Sequence, residues 1–232
     1  MAGTNKHPRL LGTAVRWPLG VLLTWWAYLW RITPLHRREV AGTFPHDAAP
    51  PLPGGVSLQD VQSPQSGRGA FLRRRYRVDV SEPKLDAREI MERIRDDPNV
   101  VVPGGLARFH KVEGSKGPLA LGDEYAVRMP GPWDGPVRVI AVTPTSFRFA
   151  TLAGHLEAGQ IEWRAQDRPG ALRFEVESWS RPGDRISELA HHHLRMAKEV
   201  QLHMWTSVLE RVVKLADGEL DHGVDIHTVI VS

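Results

Sequence analysis

Between residues 186 and 215 apolar side chains return every three or four positions: Ile186, Leu189, Ala197, Val200, Met204, Val208, Val212 and Leu215, with His193 in step among them. That spacing follows one face of an α-helix. Pro182 and Gly183 precede it, Asp184 can cap its first turn, and Gly218 offers a stop. The predicted helix runs from Asp184 to about Asp217 and, at about 1.5 Å per residue, reaches roughly 50 Å. Single strands are much shorter, so such a rod must lie diagonally across a sheet.

The residues before it supply that sheet. Residues 73–80, RRRYRVDV, alternate as a strand does. Asp86 and Glu89 then form a capping-box pair, Leu85 can staple onto Ile90, and Ile90, Met91 and Ile94 make an apolar stripe that Pro98 ends. Short runs follow at 106–112, 123–129, 137–142, 147–152, 160–165 and 172–179, separated by Gly, Pro and Asp. Ile161, Trp163 and Ala165 alternate with Glu162 and Arg164, as Leu172, Phe174 and Val176 do with Arg173, Glu175 and Glu177. A period of two is the signature of an antiparallel sheet with one wet face. Residues 224–231 are expected to add an edge strand. The fold class is therefore α+β, an antiparallel sheet wrapped on a long C-terminal helix.

The N-terminal part differs in kind. The first 77 residues carry 11 Lys and Arg against Glu39, Asp47 and Asp60, although the whole chain is only +3. A basic first third beside an acidic body suits an anionic partner. Within it, residues 17–30 read WPLGVLLTWWAYLW, uncharged, with Trp17, Trp25, Trp26 and Trp30, flanked by Arg16 and Arg31. As a helix this stretch is about 21 Å long, short of a hydrocarbon core of about 30 Å. Extension back to Leu10 would span if Arg16 snorkels. Indoles and arginines at the headgroup level also suit an in-plane anchor on anionic lipid, and a buried core helix is the plain alternative. Residues 1–40 are read as a membrane-associating segment on the cytoplasmic face of a bacterial membrane, with membrane lipids as partners. Residues 41–70, rich in Pro and Gly, read as an extended tether; 71–218 form the folded domain and 219–232 a tail.

Several chemistries are excluded. The chain has no Cys, which removes disulfide scaffolds, zinc ribbons and thiol nucleophiles. An apolar share of 41% with 25% charged residues argues against wholesale disorder and against a polytopic membrane protein. The turn at Gly114-Ser115-Lys116-Gly117 lacks phosphate-loop spacing, and neither G-x-G-x-x-G nor H-E-x-x-H occurs, so no cofactor is expected. His191, His192 and His193, with Glu188, Glu199 and His203, look like metal ligands. Glu188/His192 and Glu199/His203 nevertheless sit about 16 Å apart along one helix and cannot share an ion, so no metal is expected. Arg73, Arg74, Arg75 and Arg77 alternate between both faces of a strand and no recognition-helix signature accompanies them, which argues against nucleic acid.

Three segments carry a family likeness: GDEYAVRMPGPWDGPVRV (122–139), TPTSFRFATLAGHLEAGQIEW (143–163) and ESWSRPGDR (177–185). Over roughly residues 70–216 the chain resembles a bacterial family of unknown function in the START-like (SRPBCC, helix-grip) superfamily, with plant relatives assigned to the chloroplast envelope. The T-L-x-G-H-x-E-x-G run at 151–159 is its most distinctive part. The resemblance implies a helix-grip fold and, for the superfamily, a cavity for lipids, sterols or polyketides between sheet and helix; it implies no settled reaction.

A curved sheet gripping a helix leaves a wedge that Phe149, Trp163, Phe174, His193, Met196 and Met204 can line, or fill as ordinary core. Within 151–159, His155 and Glu157 are two residues apart between glycines. They can act as an acid/base pair, or belong to a hairpin connection in which the His bonds the backbone. The leading expectation is a membrane-tethered domain that binds a hydrophobic, lipid-like small molecule. A cyclase- or hydrolase-type enzyme using His155 and Glu157, and a non-catalytic scaffold, are the competing ones.

Overall fold

The computed structural model describes residues 33–55, 57, 59–129, 134–183 and 192–231, and the side chains of these except 192–200. Trp17, Trp25, Trp26, Trp30, Arg16 and Arg31 lie outside the described residues, as do the side chains of His193 and Met196. Among the described residues no helix is long and apolar enough to cross a membrane.

Nine strands form one sheet: β1 (Leu35–Ala41), β2 (Phe71–Ser81), β3 (Arg108–Glu113), β4 (Glu124–Arg128), β5 (Asp134–Thr143), β6 (Ser146–Thr151), β7 (Glu157–Arg168), β8 (Ala171–Pro182) and β9 (Glu219–Val231). Their order is β1-β9-β2-β8-β7-β6-β5-β4-β3, antiparallel except for the β1/β9 pair. Bulges between Arg77 and Asp79 and between Val139 and Ala141 interrupt the register and bend the strands. Among the described residues two helices, α1 (Ala87–Asp96) and α2 (His192–Leu215), lie on one face, α1 over β7 and α2 over β2, β8 and β9.

Helix α1 begins where the capping pair places it. The Asp86 carboxylate accepts from Glu89 N–H at 2.8 Å and Glu89 accepts from Asp86 N–H at 2.9 Å. Ala87 N–H donates to Asp167 at 2.9 Å, which fastens this end of α1 to β7. Ile90, Met91 and Ile94 are fully buried beneath it. The inward rows of the strands supply the rest of the core: Tyr76, Val78 and Val80 on β2, Leu172, Phe174 and Val176 on β8, Trp163 and Ala165 on β7. Trp205, Val208, Leu209 and Val212 of α2 close over them.

The outer face carries charge. Arg73 bonds Glu177 at 2.8 Å and Asp47 at 3.1 Å, Arg164 bonds Glu175 at 2.6 Å, Arg173 holds Asp79 through two bonds of 2.8 Å, and Arg77 pairs with Asp225. Two of the four arginines of the basic run on β2, Arg73 and Arg77, are thus paired with carboxylates.

Three expectations change. Residues 41–70 do not hang free: Pro50 accepts from Gln160, Ser57 and Gln59 carbonyls accept from Arg138, and Gln62 pairs its backbone with Thr151. Pro and Gly deny this segment a ladder of its own without preventing it from docking on one. Here it also roofs a second small core of Phe71, Trp179, Val229 and Val231. The C-terminal strand is not an edge. The basic flank His36-Arg37-Arg38 belongs to β1, which pairs parallel outside β9 and takes the edge itself. Finally, Asp217 rather than Gly218 adopts the left-handed backbone after α2, at φ 50°. Gly218 is needed for proximity, because a Cβ there would stand 2.6 Å from Val80 Cγ1 and 2.7 Å from the Ser81 carbonyl.

Candidate functional site

The 151–159 run joins β6 to β7, and its residues divide into framework and presentation. Thr151 Oγ1 accepts from Gly159 N–H at 2.9 Å and donates to the Gln62 carbonyl at 3.0 Å. Gly154 turns the chain at φ 101°. Gln62 clasps that turn, its amide donating to the His155 carbonyl and accepting from Gly154 N–H, both at 3.3 Å. Gly159 lies against β8 so closely that a Cβ would meet the Trp179 carbonyl at 2.0 Å.

His155 and Glu157 are adjacent in space, yet no bond joins imidazole to carboxylate. Nδ1 of His155 accepts from the Glu157 N–H at 2.9 Å. The Nε2 edge faces Gly135, where a Cβ would come within 2.9 Å. Burial pushes the imidazole below its usual range, against the pull of the Glu157 charge and backbone. A neutral ring committed to the backbone fits the hairpin alternative.

The Glu157 carboxylate points instead to the inner face of the sheet. Its Oε2 is 3.4 Å from Ser180 Oγ, both oxygens are 3.3 Å from Gln201 Nε2, and Oε1 is 3.8 Å from Arg74 Nη1. Arg74 in turn donates to Gln201 Oε1 at 2.6 Å. The Arg74 side chain is 9% exposed. Directly across from it on β8 is Ser178, and across from Ser178 on β7 is Ile161. Four elements, β2, β7, β8 and α2, therefore converge in one polar layer of Arg74, Glu157, Ser178, Ser180 and Gln201.

One step further in, the layer turns aromatic. Trp205 follows Gln201 by one helical turn and meets Trp163 at 5.8 Å and Tyr76 at 6.4 Å between ring centroids. Beyond lie Phe174, 6.4 Å from Trp163, and Phe147, which touches both Trp163 and Phe149 at 5.4 Å. Phe149, Trp163 and Phe174 thus join one aromatic cluster, with Met204 partly buried against the same core. On this inner face Ser178 Oγ, Trp163 Nε1 and Trp205 Nε1 are buried and make no hydrogen bond among the described residues, as is true of Arg148 Nε on the outer face.

Sequence reasoning named Glu157 and Trp163 but missed Arg74, Ser178, Ser180, Gln201 and Trp205. A signal was present. In the alternation Leu172, Phe174, Val176, Ser178, Ser180 the inward row changes from apolar to hydroxyl, and Arg74 falls on the same row as Tyr76 and Val78. A separate open groove of about 380 Å³ lies beside β3, between Asp97, Phe109, Lys111 and Tyr125. The Lys111 ammonium there is already held by Asp123 and the carbonyls of Ser115, Gly117 and Pro118.

Residues 103–211, which include β3 to β8 and most of α2, match the family model described as Domain of unknown function (DUF1990). The chain carries a DUF1990 domain. Its distinctive 151–159 run lies within the match, and the antiparallel sheet with its C-terminal helix is the architecture the motifs implied. No curated protein matches the chain at a significant level. Among solved structures, this chain is similar to ginseng major latex-like protein 151 from Panax ginseng, at 12% identity and a TM-score of 0.47, over 64% of this chain and 99% of that one. It is similar also to norcoclaurine synthase from Thalictrum flavum, at 10% identity and a TM-score of 0.45, over 64% and 95%. Ara h 8.0201 shows 10% identity and a TM-score of 0.42, over 61% and 99%.

Proposed function

We propose that this domain binds a hydrophobic, lipid-like small molecule between the inner face of the sheet and α2. The observation that carries the reading is the set of three buried inner-face donors, on Ser178, Trp163 and Trp205, that find no partner among the described residues. A buried donor without a partner costs about 1–3 kcal/mol, so native proteins leave few of them. Three together are explained by a guest that supplies the missing acceptors. Its apolar part lies against Trp163, Trp205 and Met204 above a floor of Phe149 and Phe174, and its polar end meets Arg74, Glu157, Ser178 and Gln201. In this reading His155 shapes the turn and Glu157 serves the guest.

The Trp-rich segment at 17–30, between Arg16 and Arg31, holds the domain on the cytoplasmic face of a membrane, and membrane lipid is the reservoir from which the site fills. The full chain, delipidated and then mixed with vesicles made from a bacterial lipid extract, should float with the vesicles. Released and examined by native mass spectrometry, it should retain a defined lipid species. Protein that stays with the soluble fraction overturns the tether, and protein that is uniformly empty overturns the binding site.

A further inference from the structure

The identity of the polar end can be taken further by counting what the site offers. Arg74 is a permanent cation with five N–H donors, and its side chain is more than nine-tenths buried. Among the described residues its one hydrogen bond goes to a neutral amide, Gln201 Oε1, through Nη1. Its nearest carboxylate, Glu157, stands at 3.8 Å, beyond hydrogen-bond reach. Buried arginines are ordinarily paired, because a guanidinium removed from water needs charge-assisted bonds to offset its desolvation. Nε and Nη2 of Arg74 have no such partner among the described residues.

The groups around it are of the same kind. Ser178, directly across the β2/β8 ladder, is 4% exposed and its hydroxyl is unpartnered. Trp205, one turn along α2 from Gln201, offers an indole N–H that can only donate. Unused donors therefore outnumber unused acceptors, and they surround a positive charge. What is missing is an oxygen-bearing anion.

Glu157 limits how much charge that anion carries. Its carboxylate approaches the same guanidinium and is held by Gln201 and Ser180 through contacts of 3.3–3.4 Å. A dianion beside it would meet like-charge repulsion that water screens only in part, the Glu157 side chain being 29% exposed. A single negative charge spread over two coplanar oxygens fits the flat guanidinium fork and leaves Glu157 in place.

We infer that the site takes a long-chain carboxylic acid, bound as its carboxylate to Arg74 and Ser178, with the acyl chain directed toward Trp163 and Trp205. This rests on the lipid-binding reading above and narrows it to one chemical class.

The test compares three probes of equal chain length, hexadecanoic acid, hexadecan-1-ol and hexadecyl phosphate, in equimolar competition for the delipidated full chain, with bound fractions read by native mass spectrometry. The acid should outcompete the alcohol at least tenfold and be no weaker than the phosphate. Arg74→Met should bring the acid-to-alcohol ratio close to one. Ser178→Ala deletes a lone hydroxyl that bonds nothing among the described residues, so it should fold normally and lower the ratio at least threefold; it carries the test if Arg74→Met fails to fold.

Equal binding of acid and alcohol overturns the inference, as does a preference that survives Arg74→Met or a tenfold preference for the phosphate. If none of the probes binds while a lipid from the extract is retained, the carboxylate assignment falls and the lipid-binding reading stands. If nothing is retained from either source, both fall.

Discussion

Gly159→Ala adds one methyl group where β7 meets β8, and its effect can be worked from the geometry. The new Cβ would stand 2.0 Å from the Trp179 carbonyl oxygen, 2.8 Å from Ser180 Cα and 2.9 Å from Ser180 Cβ. Ordinary contact begins near 3.4 Å, so the strands must part by about 1.4 Å at this point. The obstacle is backbone on both sides, and no side-chain rotation relieves it. Two losses follow. Overpacking of this kind costs about 1–3 kcal/mol, and parting the strands strains the buried bond between Gly159 N–H and Thr151 Oγ1, worth about another 1–3 kcal/mol if it is lost. Replacing glycine in a strand returns only about 0.5–1 kcal/mol.

The net expectation is a loss of about 2–5 kcal/mol, a large share of the roughly 5–15 kcal/mol that a domain possesses. Urea denaturation followed by tryptophan fluorescence would show it as a midpoint lowered by about 1–2 M. Gly104→Ala is the control. Nothing lies within 4 Å of its Cβ and its φ is not in the left-handed region, so its midpoint should stay within about 0.5 kcal/mol of the parent. Propensity alone predicts that both substitutions stabilise. A Gly159→Ala protein as stable as the parent would therefore refute the close-approach reasoning.

Asp86→Ala removes the side-chain acceptor for Glu89 N–H, one half of the capping box of α1, and should cost about 1 kcal/mol, with Asp86→Asn recovering most of it, in the same denaturation assay. Equal midpoints for all three proteins would show that the cap adds nothing to the tie between Ala87 and Asp167. Stability should also fall with acid in two stages. His155 and His227 are both held below the ordinary value of 6.5 by burial, so the unfolded chain takes up protons that the fold refuses. Stability is then complete above about pH 6.5 and declines as pH drops below it. Asp79 is held below 3.8 by its bonds to Arg173. Asp123 is held there too, because Lys111 and the backbone N–H groups of Ala120 and Ser115 outweigh the opposing effect of its burial. Their contribution is present above about pH 3.8 and is lost as pH falls through their folded values. His155→Asn keeps an acceptor for Glu157 N–H and should shrink the first stage while leaving the second; an unchanged first stage would remove His155 from this account.

How much of this was legible in the sequence follows from which forces are local. The strands β2 and β5 to β8 and helix α1 were readable because alternation, a capping pair and Pro98 act within a few residues. β1 was not. Its HRREV run is charged and its partner β9 lies almost two hundred residues away, so nothing nearby marks it as a strand. Gln62 was unreadable for a related reason, since its amide serves as a clasp only once the turn at Gly154 is beside it. In the site, Glu157 was found and its direction was not. The rule that residues two apart share a face holds along an extended strand, but β7 begins at Glu157 and His155 is still in the turn.

The contrast between the two faces of the sheet is what gives Arg74 its meaning. On the outer face Arg73, Arg77, Arg164 and Arg173 each hold a carboxylate in hydrogen-bond contact, and each of these arginine side chains keeps 24–38% of its surface open to water. Arg148, on the outer face, meets the Gln160 amide through Nη1 at 3.3 Å and keeps a buried Nε with no partner among the described residues. Arg74 comes from the same basic run, one residue from Arg73, yet the pleat turns it inward beside Ser178 and Gln201. There the desolvation penalty is several times larger, and the Glu157 carboxylate at 3.8 Å stands too far off to hydrogen-bond the guanidinium. A leucine at this position would suit the apolar row of Tyr76 and Val78 and would remove that penalty. A buried cation kept one residue away from a row of well-matched ones is hard to account for by stability, and an anion arriving from outside the chain accounts for it directly.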